Sequence, residues 1–160
     1  MPIPTSDIDA FESRAGTLHK AIEGLTPADM TAYPVPGTWS IHELIVHVME
    51  SDLIAVHRMK RIIAEEKPLL IGYNETAFVK TLNSHAIDVR QACDLFRLNR
   101  LMMAGILRRL PEAAFDRVGV HNENGMMSLR QMIPMYANHV DHHMKFLREK
   151  RAKLGKPLGW

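Results

Sequence analysis

Cysteine is almost missing from this sequence: Cys93 stands alone among 160 residues. A single thiol excludes an internal disulfide, a CxxC redox pair and a zinc site built from cysteines, and it points to a reducing compartment, the cytoplasm. Long apolar runs are missing too. The longest that stands out, Leu101–Leu107, falls far short of the roughly 20 residues that span a bilayer, so no membrane association is expected. The opening MPIPTSDIDAF has acids where a secretion signal needs basic and then apolar residues. No repeat and no low-complexity tract is found. The string HExxH is absent, which sets aside that class of metalloprotease. No Glu-x-x-His pair recurs on two helices, so a ferritin-like di-iron site is unsupported.

What is present fits one soluble domain over residues 1–160: 46% of residues are hydrophobic and 24% charged. A chain of this length buries enough surface to need no staples. Histidine is over-supplied, with nine copies against only 6% aromatics. With cysteine so scarce, metal binding or acid–base work falls to these histidines. The net charge of +2 is unevenly spread, and six bases crowd Lys145–Lys156 against Glu149 alone. Without a recognisable nucleic-acid motif, that segment reads as a solvated helix end whose cations suit the helix dipole, and no nucleic-acid partner is expected.

Proline, glycine and capping residues divide the chain into four long amphipathic segments. The first runs from about Ser6, its expected cap, to Leu25, with Ile8, Phe11, Ala15, Leu18 and Ile22 at helical spacing. The second opens on the capping box Ser40-Ile-His-Glu43 and reaches about Glu66; the third breaks near Asn83-Ser84 and ends by Leu110. The fourth opens on a second box, Ser128-Leu-Arg-Gln131, and runs to about Leu154. Before it, Asn124-Gly125 marks a tight turn, either a small hairpin or a plain loop. Four such helices define an all-α class, a four-helix bundle.

Helical phase sorts the histidines. In the fourth segment, His139 and His143 fall inside or beside the stripe of Leu129, Met132, Ile133, Tyr136, Val140, Met144 and Leu147, while His142 faces outward. Two inward histidines one turn apart reach a single metal ion, or else bond across the bundle as core residues. In the second segment His47 lies at the flank of the apolar stripe, whereas His42 and His57 point outward. Asp52 falls in the middle of that stripe, where a lone carboxylate is costly, so it needs Arg58 or a histidine as partner, or backs a ligand as an acid. Cys93 reads as a small core residue.

Together, Pro36-Gly-Thr-Trp-Ser-Ile41, His47, an acid at Glu50 or Asp52, Arg58 and the closing His139-x3-His143 resemble the DinB/YfiT-like superfamily of four-helix-bundle metal-dependent enzymes. The resemblance spans about Leu25 to Leu147. It implies an up-down-down-up bundle, often a homodimer, and a divalent metal, zinc or nickel, held by His47, His139 and His143. It also implies hydrolysis of a small molecule, or transfer chemistry with a low-molecular-weight thiol as cosubstrate. One departure stands out: where the YfiT-like branch has a further histidine, this chain has Asp52. In an enzyme of this kind, Asp52 or Glu50 moves a proton and Arg58 holds an anionic group. The competing classes are a metal-carrying stress protein without turnover and a purely structural bundle with an unfilled histidine cluster.

Overall fold

The computed structural model describes residues 2–160. The expected first helix forms as two pieces, α1 (Thr5–Ser13) and α2 (Thr17–Ile22), joined by a 3-10 turn over Arg14–Gly16. Pro4, not Ser6, stands at its N-cap, and no side chain caps it. A short α3 (Pro27–Thr31) follows, opened by a Thr26/Asp29 capping box. The two expected boxes form as read: Ser40 and Glu43 start α4 (Ile41–Ala64), and Ser128 and Gln131 start α7 (Leu129–Lys153). In each, the side chains satisfy amide groups that the first helical turn leaves free. Helix α7 runs unbroken past Pro134.

Between α4 and α6 (Val89–Leu107) lies a long crossover containing β1 (Leu69–Leu70) and α5 (Glu75–Thr81), with a break at Asn83, whose φ of 52° is left-handed. The Asn124-Gly125 turn does close a hairpin, β2 (Val118–His121) with β3 (Gly125–Ser128). The unexpected element is β1, which pairs parallel to β2, Leu69 opposite Val120 and Leu70 opposite His121. Gly119 permits this docking, because a Cβ there would lie 2.9 Å from Leu70.

Two apolar clusters fix the helix directions. One holds Ile8 and Phe11, the second half of α4, the end of α6 and the start of α7; the other holds Leu18 and Ala21, the start of α4 and α6, and the second half of α7. Thus α4 and α6 run parallel to each other and opposite to α1–α2 and α7, which is the up-down-down-up order. The fold is all-α apart from the three short strands.

At the waist between the clusters sits Arg100, 1% exposed. Its Nε donates to Asp52 Oδ1 at 2.9 Å, Nη1 to the Phe11 carbonyl at 3.1 Å and Nη2 to the Tyr136 carbonyl at 2.7 Å. The guanidinium is flanked by the rings of Phe11 and Phe96, whose centroids lie 4.3 and 4.7 Å away. Asn99 Nδ2 bonds the other Asp52 oxygen at 2.9 Å. The partner of Asp52 is therefore neither Arg58 nor a histidine but a cation on the neighbouring parallel helix. Burial pushes the Asp52 carboxyl up against the pull of Arg100.

The basic C-terminal segment is less solvated than its composition implied. Lys150 and Arg151 are buried, and Arg151 Nη1 donates to the carbonyls of Ala21 and Glu23 at 2.8 and 2.9 Å, closing the end of α2.

Replacing Arg100 with Met leaves the Asp52 carboxylate buried without its cation, which costs about 3–5 kcal/mol. The double variant Asp52→Asn/Arg100→Met recovers part of that loss, since no bare charge remains. Urea denaturation of the three proteins measures both steps.

Candidate metal centre

Because α4 and α7 are antiparallel, the first third of α4 lies level with the second half of α7. That alignment brings His47 against His139 and His143. His47 is 1% exposed and the other two are half-buried. The three Nε2 atoms converge: His143 Nε2 lies 3.2 Å from that of His47 and 3.0 Å from that of His139. Trp39, just before the α4 cap, packs its ring 4.8 Å from that of His47, and Tyr136 stands 6.1 Å from His139, edge to face. These neighbours limit how the imidazoles can turn.

Burial holds all three rings neutral at physiological pH. It brings His47 and His139 down to about 4 and His143 to about 3, with mutual repulsion adding to the effect on His139 and His143. Hydrogen bonding alone accounts poorly for the contacts. A neutral imidazole nitrogen either donates or accepts, so His143 Nε2 cannot make two good bonds to two other Nε2 atoms at once. A cation resolves the conflict, because three lone pairs can all point at it. In a tetrahedral site with metal–nitrogen distances of about 2.0–2.1 Å, neighbouring donors lie about 3.3 Å apart, close to the spacing here. The residues fit a divalent metal with three imidazole ligands and one open position.

A fourth group approaches that sequence reading did not find. Glu75, first residue of α5, places Oε2 3.4 Å from His47 Nε2. Asn74 caps α5 by accepting from Ala77 N, the Gly72 amide donates to Asn122 Oδ1, and Arg58 Nη2 donates to the Ile71 carbonyl. These bonds pin the crossover at the mouth of the site. Glu75, Tyr73, Ser51, His139 and His142 line a cleft of about 410 Å³. The sequence signal for Glu75 is only an acid behind a helix cap, which the dipole explains equally well.

The remaining candidates fall in different places. Asp52 is committed to Arg100 and Asn99. Arg58 is buried, with one terminal nitrogen on the Tyr136 hydroxyl at 3.0 Å and the other on Ile71, while its Nε has no partner. Glu50 is half-buried, and burial raises its carboxyl. Its charge is felt at the Tyr73 phenol, which puts it on the cleft side of α4. His42 does not point outward: it is buried, and its Nε2 donates to the Ile87 carbonyl at 2.9 Å, because the end of the crossover covers that face of α4. His57 is exposed, as its phase implied.

An up-down-down-up bundle carrying three converging histidines on its second and fourth helices defines the class, and the chain belongs to the DinB superfamily, whose model matches residues 10–147. Its relatives include proteins named "Putative metal-dependent hydrolase". One, from Halalkalibacterium halodurans, is 24% identical over 132 residues, 82% of this chain and 77% of the relative. Another, YfiT of Bacillus subtilis, is 23% identical over 154 residues, 96% of this chain and 84% of the relative. The solved structure of YfiT, described as an unusual four-helix bundle, superposes with a TM-score of 0.87 over 94% of this chain and 86% of that chain, at 22% identity. The fold is shared. No helix among the described residues is long and apolar enough to cross a membrane.

The depressed histidines set a pH dependence for the metal-free protein. The folded rings titrate near 3–4 and the unfolded ones near 6.5, so the unfolded chain binds more protons between those values. Stability is complete above about pH 6.5 and is lost as pH falls toward 4. Urea midpoints in EDTA at pH 5.0 and 7.5 measure the loss, and the double variant His139→Gln/His143→Gln shrinks the difference between them.

Proposed function

We propose that the chain is a metal-dependent enzyme acting on a small electrophilic molecule, as a hydrolase or as a transferase using a low-molecular-weight thiol. The observation that carries this reading is the convergence of three neutral Nε2 atoms beside an open cleft, with the Glu75 carboxylate at its edge. His47, His139 and His143 would hold one divalent ion, zinc or nickel. When bound, the ion supplies a Lewis acid that lowers the pKa of water or a thiol at its open position.

The chain's own residues then have separate tasks. Glu75 Oε2, 3.4 Å from His47 Nε2 at the mouth of the centre, would accept a proton from the attacking water or thiol. The Ser51 and Tyr73 hydroxyls line the cleft where the electrophile enters. Burial raises the Glu50 carboxyl, and its charge acts on the Tyr73 phenol at the cleft wall. Asp52 and Arg58 act as positioning residues: Asp52 sets α4 against α6 through Arg100, and Arg58 ties the Tyr136 hydroxyl to the crossover. A thiol reaction needs an outside thiol, because Cys93 is fully buried and its own is pushed up to about 12.

The proposal extends to a cytoplasmic homodimer. Supporting the pairing, Leu95, Leu98 and Met102 lie on one face of α6, exposed at 44%, 54% and 52%. Leu98→Glu is expected to shift the mass by light scattering from two chains to one while the far-ultraviolet circular dichroism stays the same.

Protein purified without nickel resin is expected to carry about one metal ion per chain by plasma emission, and His139→Ala to carry none. Glu75→Gln should keep the metal and lose about 10²–10⁴-fold in kcat on activated esters, or on epoxides with added thiol. Metal retained by a wild-type chain that turns over nothing in such a panel would mark a non-catalytic binding protein instead.

A further inference from the structure

The His143 ring has a second side, which the chemistry above leaves unused. There, Trp39, Leu44, Phe146, His143, Thr38 and Lys150 border a mostly apolar pocket of about 280 Å³. Lys150 is the anomaly in it. Its side chain is 3% exposed, yet the ammonium makes one hydrogen bond, to Thr38 Oγ1, which in turn donates to the Val35 carbonyl at 2.9 Å. An ammonium has three N–H groups, and a buried cation without a counter-ion is costly. Glu149, on the rim, and Glu43 act on it only at longer range, and burial still lowers its pKa. Glu43 is already engaged by the Ser40 amide and the Tyr33 hydroxyl. Arg100 and Arg151, by contrast, are spent on backbone carbonyls and, for Arg100, a carboxylate.

We propose that this pocket binds a small apolar monocarboxylate, its anionic end on Lys150 and Thr38 and its apolar body between Trp39, Leu44 and Phe146. At about 30 Å³ per liquid water, the pocket equals about nine waters, so it suits a ligand of about nine non-hydrogen atoms. A single cation, with Glu149 at the rim, favours one negative charge over two. Because His143 borders this pocket and also supplies a converging Nε2, the bound acid sits against the centre's own ligand. The inference deepens the proposed function by naming the class of substrate or product, and it rests on that function for its catalytic meaning.

Benzoate and its neutral isostere benzamide are the probes, and Trp39 fluorescence is the readout in a Trp160→Phe background, which leaves one tryptophan. Titrations run both in EDTA and with one equivalent of zinc. Benzoate is expected to bind at least tenfold more tightly than benzamide, and Lys150→Met to remove the difference while benzamide affinity holds. Phe146→Ala, at a side chain 44% exposed and so tolerant of change, removes one apolar wall of the pocket and should weaken benzoate at least fivefold. Equal affinity for the two probes, or benzoate binding indifferent to Phe146→Ala, overturns the inference. Benzoate selectivity in a chain that takes up no zinc leaves the pocket standing and overturns the metal reading; zinc uptake without benzoate selectivity does the reverse.

Discussion

One buried guanidinium holds the bundle in register. Arg100 on α6 reaches the Asp52 carboxylate on α4 and the backbone carbonyls of Phe11 on α1 and Tyr136 on α7, so a single side chain touches all the other long helices. Sliding any helix by one residue, about 1.5 Å, breaks at least one of these bonds in a place water does not reach. Such a cation is weak evidence for net stability, because desolvating it offsets most of what its partners return. Its effect here is alignment. Tyr136 is three residues before His139, and Asp52 is five after His47. The waist thus sets how far α7 slides along α4, and with it the 3.2 Å between His47 Nε2 and His143 Nε2.

The histidines show how much of the site was legible. Phase along α7 separated His139 and His143 from His142, because the hydrophobic stripe of an isolated helix already says which side is inward. Both capping boxes, and therefore the starts of α4 and α7, were readable from four-residue strings, since the bonds concerned are local. The errors share one cause. His42, Asp52 and Glu75 each owe their surroundings to a segment distant in the chain: Ile87 covers His42, Arg100 neutralises Asp52, and α5 delivers Glu75 to His47. Strand β1 was unreadable for a related reason. Two residues have no periodicity, and Leu69–Leu70 become a strand only when β2 lies beside them.

The imidazole cluster has a surface on either side. On the His139 side, Ser51, Tyr73, the Glu75 carboxylate and His142 border a cleft together with Met135 and Tyr136; on the His143 side, Trp39, Leu44 and Phe146 flank the Lys150 ammonium. An ion held by three neutral ligands keeps its full charge only while the acids nearby stay out of its ligand set. Asp52 meets that condition by being bound to Arg100 and Asn99.

The parallel course of α4 and α6 has a consequence for how proteins of this design diversify. Two parallel helices require a connection that returns along the length of the bundle, and here that connection crosses the mouth of the centre and supplies Glu75. Apart from Leu70 and Val79, its side chains contribute little to the buried core, and none of it supplies a converging imidazole. Residues can therefore be added, lost or exchanged around α5 while the waist and the three histidines stay in place. The bundle is then a fixed mount for an ion, and the crossover is the replaceable part that decides what reaches it.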